Sequence, residues 1–251
     1  MRPLHVVGPA WMAQDLGAVH DRGFDPPAQP ADFWCSGEHY ARLTDVSDIR
    51  FSTPGGMLPL LGLRPGLDVR SAVSILDDPP SQVLFTKLND LKLASFPARV
   101  RTPTELIDAC QKLAESVTDP AEVMIATMPI LDFAAEARCI VYGGEVVSVT
   151  AYSNGRGWLG RGLDDVLDDI DRGQIARVAS NLRCPLRAYV VDVGWCQGNW
   201  TVIETNPVAS SFWYADAPDP VVAKAIRAGQ HDDPAFDWTQ PMLLRRRRWD
   251  L

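Results

Sequence analysis

The sequence lacks the residue patterns on which several common kinds of site are built. No apolar run approaches the length of a membrane-spanning helix, so we expect no membrane segment. The chain has no zinc-type spacing of cysteine and histidine, no G-x-S-x-G motif and no P-loop with its lysine. Its four histidines are dispersed. Zinc chemistry, hydrolysis at a nucleophile elbow and P-loop nucleotide binding are therefore not indicated.

Positive charge is scarce as well. The chain has 24 Lys and Arg residues and 32 Asp and Glu residues. Its net charge of −8 argues against bulk binding of nucleic acid. The five cysteines are scattered and odd in number, and only a very short apolar run follows Met1. We therefore expect reduced thiols in a cytoplasmic protein. The sequence leaves a homodimer open.

Prolines suggest how the chain is divided. At 251 residues, it has the length of one large domain or two small ones. Pro79-Pro80 is the best candidate boundary, which predicts a loop-rich α/β cap over 1–80 and a second domain over 81–251. The second part reads as strand, helix, strand, hairpin, helix, hairpin. These antiparallel pairs favour the α+β class over a doubly wound parallel sheet.

The spacing of apolar residues and the capping residues of helices predict individual helices and strands. Thr102 and Glu105 form a capping box around Pro103, and apolar residues then recur at helical spacing to Val117. Gly143-Gly144 separates two apolar strands and indicates a hairpin. The predicted elements are a strand over 83–87, a helix over 103–117, a strand from 123 into 130, a hairpin of 136–142 with 145–152, and a helix from 163 to about 178.

A second hairpin carries oxygen ligands of the kind that magnesium prefers. Residues 189–195 and 200–205 are apolar and β-branched, with a turn at 197–199 in which Gly198 and Asn199 tolerate positive φ. This loop length puts Asp192 opposite Glu204.

Alternation along the strand places Glu204 and Asn206 on one face. Two carboxylates and a carboxamide would then converge, which suits Mg²⁺ together with substrate phosphates. The alternative is an exposed hairpin with a polar wet face, against which the Asn206-Pro207 strand ending argues.

Other charged residues admit two interpretations each. Lys87 and Lys92 could reach nucleotide phosphates or be ordinary surface lysines. Glu136 and Arg138 share a strand face, so Arg138 either meets an anion or makes a structural ion pair at the sheet edge. The glycine-rich loop 153–162 could cover a phosphate or a substrate carboxylate, or be a flexible surface loop. The arginines at 245–248 fit a solvated tail or a local phosphate contact.

In their order and spacing these segments resemble the ATP-grasp superfamily, and more narrowly its small arginine-arginine-lysine clade. The matching segments are Leu84-Phe85-Thr86-Lys87 with Lys92, Glu136-Ala137-Arg138, Val191-Asp192-Val193-Gly194 and Ile203-Glu204-Thr205-Asn206-Pro207, followed by the aromatic Tyr214. They cover about residues 81–215. The usual proline after the first lysine is Leu88 here, and the cap carries no recognised motif.

The resemblance implies two α+β subdomains that grip ATP between them. It implies that Lys87 and Lys92 contact ATP phosphates and that the strand with Met128 and Ile130 passes the adenine. By the same resemblance, Arg138 meets the γ-phosphate or acyl phosphate, Glu136 orients Arg138 or the ribose and metal side, and Mg²⁺ is held by Asp192, Glu204 and Asn206. The candidate catalytic residues are Arg138, Lys92 and Glu136.

The function that this predicts is an ATP-dependent ligase. A small-molecule or peptide carboxylate would form an acyl phosphate, and an amine would displace phosphate to give an amide or peptide bond. The alternatives are a nucleotide-binding module without ligation activity and a small-molecule kinase.

Overall fold

The fold is taken from a computed structural model, in which two compact units are formed by different parts of the chain. The described residues of 1–64 and 132–237 form the first unit, and those of 65–131 form the second. The structure describes residues 2–21, 31–35, 66–89, 96–117, 119–154, 167–182, 184, 186–206, 208–214 and 220–231.

The first unit contains a small parallel sheet from the start of the chain. Its strands are β1 (Leu4–Val7), β2 (Val19–Asp21) and β3 (Asp32–Cys35), in the order β2-β1-β3, with helix α1 (Ala10–Asp15) after β1. The side-chain amide of Gln230 hydrogen-bonds to the backbone of Phe33 in the edge strand β3. It accepts from the Phe33 N–H at 2.9 Å and donates to the Phe33 carbonyl at 3.0 Å. This amide satisfies backbone groups that an edge strand otherwise leaves unpaired.

The first unit also contains a four-stranded antiparallel sheet, in the order β11-β10-β8-β9. Strands β8 and β10 are therefore central and largely buried. A short 3₁₀ segment (Val208–Ser210) follows the sheet. The elements are β8 (Ala135–Tyr142), β9 (Glu145–Ser153), α4 (Asp169–Ser180), β10 (Ala188–Cys196), β11 (Asn199–Asn206) and α5 (Pro220–His231).

The second unit is an antiparallel sheet of order β4-β7-β5-β6 with two helices. Apolar residues of both helices and of β5 and β7 form its core, including Ile75, Leu88, Leu106 and Ile125. The elements are β4 (Asp68–Ser71), α2 (Ala72–Asp77), β5 (Leu84–Leu88), β6 (Arg99–Arg101), α3 (Pro103–Ser116) and β7 (Met124–Met128).

Much of the predicted local structure is confirmed. The α+β class holds, α3 has its complete capping box at Thr102, and both predicted hairpins form. The helix that the sequence predicts from residue 163 begins at Asp169, because Asp168 caps it by accepting from the Asp171 N–H. Residues 163–166 lie outside the described part.

The predicted division at residue 80 differs from the grouping into units. Residues 80 and 81 lie within the second unit, between α2 and β5. Residues of the predicted cap also join the first unit, where the Trp34 indole donates to the Ser211 carbonyl at 3.0 Å. The division into 1–80 and 81–251 stays a prediction about domains. None of the helices in the described residues is long and apolar enough to cross a membrane.

Glycine at position 194 of β10 is needed for space. A Cβ added there would overlap the ring of Phe133, whereas one added at the exposed helical Gly173 would meet nothing within 4 Å. We expect Gly194→Ala to lower the free energy of unfolding by about 1–3 kcal/mol through overpacking. Gly173→Ala, the matched control, should raise it by about 0.5–1 kcal/mol. Urea denaturation measures both, and equal effects of the two substitutions would contradict the close contact at Gly194.

Candidate functional site

The hairpin of β10 and β11 brings two acidic side chains opposite each other. Asp192 pairs directly with Glu204, as the sequence predicts. The predicted turn was wrong, however. Gln197 and Gly198 have positive φ values of 53° and 83°, and Asn199 already belongs to β11 and pairs with Cys196. Two left-handed residues make the tight turn that matches strand twist.

A β-bulge restores the pairing that this shorter turn would shift. Continued from the turn, the register would put Ile203 opposite Asp192, but it shifts by one residue between Asp192 and Val193. Ile203 is the additional residue. Because a one-residue slip moves every side chain to the other face, the bulge is what places Glu204 on the face of Asp192.

Arg138 and Asp192 form a buried ion pair at the centre of the sheet. They are direct cross-strand partners on β8 and β10. Nε and Nη2 of Arg138 donate to the two Asp192 carboxylate oxygens, both at 2.7 Å. The side chains are only 6% and 2% exposed. Of the two interpretations of Arg138, the structure shows a structural ion pair, but it joins the central strands β8 and β10 and does not lie at the sheet edge. Contact of Arg138 with a bound anion stays a prediction.

Asn206 links the two carboxylates. Its Nδ2 donates to Asp192 Oδ2 at 3.0 Å and to Glu204 Oε1 at 2.8 Å. Asp192 and Asn206 are buried and Glu204 is partly exposed. The three residues that the sequence nominates as metal ligands therefore converge, with the guanidinium of Arg138 on the far side of Asp192.

Aromatic rings cover the Arg138 guanidinium. Its Cζ lies 4.8 Å from the centre of the Tyr214 ring and 5.9 Å from that of Tyr152, and these rings are 5.1 Å apart. Such contacts stabilise a desolvated cation. Burial alone would lower the pKa of Arg138, but the adjoining Asp192 carboxylate raises it, so the guanidinium stays charged.

Tyr152 is a site residue that the sequence interpretation missed. Its hydroxyl donates to Glu136 Oε2 at 2.7 Å. Burial and then the charge of Asp192 raise its pKa, so it remains a donor. In the register Glu136 pairs with Ser153 and Ala137 with Ala151, which makes Tyr152 the additional residue of a bulge. Bulges redirect side chains, and no sequence signal marks this one.

The sequence of this chain matches a known protein family. The profile described as "ATP-grasp domain, R2K clade family 3" matches residues 29–226. The chain belongs to this family of ATP-grasp domains. The predicted superfamily and clade are thus confirmed. Among curated proteins, no sequence matches this chain.

Several solved structures are similar to this chain at low sequence identity. D-cycloserine synthetase DcsG has a TM-score of 0.50 at 13% identity, covering 90% of this chain and 97% of that one. D-alanine–D-alanine ligase from Bacillus anthracis has a TM-score of 0.48 at 11% identity, covering 90% and 92%. The ATP-grasp ligase PsnB with its minimal precursor has 0.44 at 13%, covering 91% and 99%. At 13% identity, the likeness to DcsG concerns the fold alone.

The remaining predicted nucleotide contacts of this ATP-grasp domain belong to its second unit. Lys87 on β5 pairs with Ala126 on β7, and Met128 follows two residues later. The three residues share one face, opposite the face whose Leu88 and Ile125 enter the core. Met128 is buried, and Ile130 beyond the strand is 52% exposed. Lys92, the loop 155–162, Pro207 and the arginines 245–248 lie outside the described residues.

Three residues of the first unit carry oxygen atoms that could hold a magnesium ion in part. No group of three or more His, Cys, Asp or Glu that could hold a metal gathers in the described part of the chain. Asp192, Glu204 and Asn206 instead offer two carboxylates around one carboxamide nitrogen. Hard oxygen donors suit Mg²⁺, which is often bound by one or two carboxylates with the rest of its shell from phosphates and water.

The Arg138–Asp192 pair gives a test of this site through stability. Arg138→Met and Asp192→Leu should each lower the free energy of unfolding by about 3–5 kcal/mol, because each leaves a buried charge without its partner. The double variant should lose clearly less than the sum of the two, as measured by urea denaturation.

The pair of Arg70 and Asp68 is the control for that cycle. It has a similar distance of 2.8 Å, but its side chains are 25% and 54% exposed. Water screens such a pair, so its coupling should stay below about 1 kcal/mol. Additive effects of Arg138→Met and Asp192→Leu would contradict the buried pair.

Proposed function

We propose that this ATP-grasp domain is an ATP-dependent carboxylate–amine ligase that works through an acyl phosphate. The observation that carries the proposal is the cluster of Arg138, Asp192, Glu204 and Asn206, in which a fixed cation adjoins a set of oxygen donors. Membership of the family supports ATP as the nucleotide. Phosphoryl transfer depends on positioned charge of this kind more than on covalent participation by the protein.

Arg138 is arranged to hold Asp192 and an anion together. A guanidinium has five N–H groups. Within the described residues, two of them donate to Asp192, and Nη1 donates a third to the Phe212 carbonyl at 3.0 Å. One N–H on Nη1 and one on Nη2 remain. In our proposal these two groups bind the γ-phosphate of ATP and afterwards the acyl phosphate.

The acidic residues have the complementary task. Asp192, Glu204 and Asn206 would hold Mg²⁺, which when bound neutralises charge on the phosphate oxygens. Glu136, anchored by the Tyr152 hydroxyl, keeps a further carboxylate two residues before Arg138 on the same strand. Lys87, and Lys92 beyond the described residues, would add positive charge at the phosphates, while the strand with Met128 and Ile130 would run past the adenine.

The proposed reaction has two steps. An oxygen of the substrate carboxylate attacks the γ-phosphorus, the bond to the bridging oxygen breaks, and ADP leaves. The substrate amine then attacks the acyl carbon, inorganic phosphate leaves with the electron pair, and the amine nitrogen loses a proton. A small molecule or peptide would supply the carboxylate, a second one the amine, and the product is an amide or peptide bond. We place this activity in the cytoplasm.

Product analysis tests the activity. The wild-type chain with Mg-ATP and mixtures of amino acids and short peptides should release ADP and phosphate in step with amide product, as followed by phosphate assay and mass spectrometry. Phosphorylated product without amide would replace the ligase by a small-molecule kinase. ATP binding without any turnover would leave a nucleotide-binding module.

Metal binding should depend on the nucleotide. Because protein supplies only part of the ligand shell, we expect Mn²⁺ to bind weakly to the protein alone and at least about tenfold more tightly when ATP is present. The loss of free Mn²⁺ signal in electron paramagnetic resonance measures both affinities, when matched samples of Mn²⁺ and ATP without protein are subtracted.

Two variants check the assignment of the ligands. Glu204→Gln should lower the affinity for Mn²⁺ in the presence of ATP, whereas Asp171→Asn is the control, since that carboxylate accepts from the Trp200 indole and lies in α4. Unchanged Mn²⁺ affinity in Glu204→Gln would mean that the metal assignment is wrong.

A further inference from the structure

The ring of Tyr214 contacts the Arg138 guanidinium, and this contact has no part in the reaction proposed above. We propose that Tyr214 is a positioning residue, whose ring fixes the plane of the Arg138 guanidinium and thereby aims its two remaining N–H groups at the γ-phosphate. The inference rests on the proposed function of the site. The ring centre lies 4.8 Å from Arg138 Cζ, closer than that of Tyr152 at 5.9 Å.

The backbone of Tyr214 indicates that its placement is imposed by its surroundings. Its φ is +59°, and the only other described non-glycine residue with positive φ is Gln197 in the hairpin turn. A bulky aromatic residue rarely adopts this conformation, and such strain persists where surrounding contacts determine it and gathers at functional sites. The turn explains Gln197, whereas Tyr214 lies in a segment without regular structure.

Contacts on both sides hold this segment in place. The Trp34 indole donates to the Ser211 carbonyl at 3.0 Å, and the Phe212 carbonyl accepts from Arg138 Nη1 at 3.0 Å. The Phe212 and Tyr214 rings are stacked, with centres 6.2 Å apart and an interplanar angle of 21°. The segment 211–214 thus contacts the guanidinium twice, through the Phe212 carbonyl at Nη1 and through the Tyr214 ring, whose centre lies 4.8 Å from Cζ.

Together these contacts leave the guanidinium little freedom to rotate. Asp192 fixes one edge by two hydrogen bonds, and the Phe212 carbonyl fixes Nη1. The ring of Tyr214, whose centre is 4.8 Å from Cζ, occupies space into which the group would otherwise turn. Burial raises the pKa of Tyr214, so the ring over the cation is that of a neutral phenol. Orientation of the remaining donors matters because a misplacement of about 1 Å can cost ~100-fold in rate.

Nucleotide binding can test this role without turnover, because ADP lacks the phosphate that the two donors would meet. We expect Tyr214→Leu to weaken ATP binding about threefold to thirtyfold, the range that a desolvated cation–π contact accounts for, with little change in ADP binding. Isothermal titration calorimetry with Mg²⁺ gives both dissociation constants. Tyr214→Phe keeps the ring and should retain the preference of the wild-type chain for ATP.

A matched pair formed by Tyr142 of β8 and Arg187, the residue before β10, provides the control. Arg187 Cζ lies 5.5 Å from the centre of the Tyr142 ring. Tyr142→Leu removes a tyrosine–arginine contact from the end of β8, away from Asp192, and should leave the ratio of ATP to ADP affinity unchanged. Hydrogen exchange at Arg138 Nε, followed by NMR without nucleotide, should become faster in Tyr214→Leu and stay slow in Tyr142→Leu.

The outcomes separate this inference from the proposed function. Absence of ATP binding by the wild-type chain would overturn the proposed function and this inference with it. ATP binding that Tyr214→Leu leaves unchanged, or an equal loss for ATP and ADP, would overturn the positioning role alone. So would a Tyr214→Phe variant that behaves like Tyr214→Leu, because the ring would then not be the group that acts.

Discussion

The Arg138 guanidinium and the Asp192 carboxylate are buried together in the middle of a sheet, and the groups around them must compensate both charges. Removing two charges from water costs several kcal/mol each, which good geometry and further hydrogen bonds must offset. Asp192 takes two bonds from Arg138 and one from Asn206. Arg138 in turn has the Phe212 carbonyl and the Tyr214 ring. Register, bulges and the segment after β11 all serve to complete this set.

The same constraint connects stability to the proposed chemistry. Low-dielectric surroundings strengthen a fixed charge, so a guanidinium that is already desolvated and oriented needs little reorganisation when a phosphate arrives. Asp192 belongs both to the ion pair and to the set of oxygen donors with Glu204 and Asn206. Asp192 thereby connects Arg138 on the central strand β8 with Glu204 and Asn206 on the edge strand β11.

How much the sequence could predict depends on whether the information was local. Helix α3 was predictable because its cap and its period lie within 15 residues. The pairing of Asp192 with Glu204 was predicted from an assumed loop of 197–199. The turn and the bulge each differ from the expectation by one residue, and the two differences cancel. The amino-acid composition marks neither the turn nor the bulge, because a bulge depends on the partner strand.

Non-local contacts were beyond the reach of pattern analysis. The partner of Arg138 lies 54 residues away, and the bond from Trp34 to the Ser211 carbonyl spans 177 residues. In the proposed site, the oxygens of Asp192, Glu204 and Asn206 hold the metal beside an ATP phosphate that Arg138 contacts. Anomalous diffraction from crystals grown with Mn²⁺ and a non-hydrolysable ATP analogue tests it most directly. We expect a Mn²⁺ peak on those oxygens, with the γ-phosphate at the outer edge of the guanidinium. A Mn²⁺ peak on other side chains, or phosphates remote from Arg138, would contradict it.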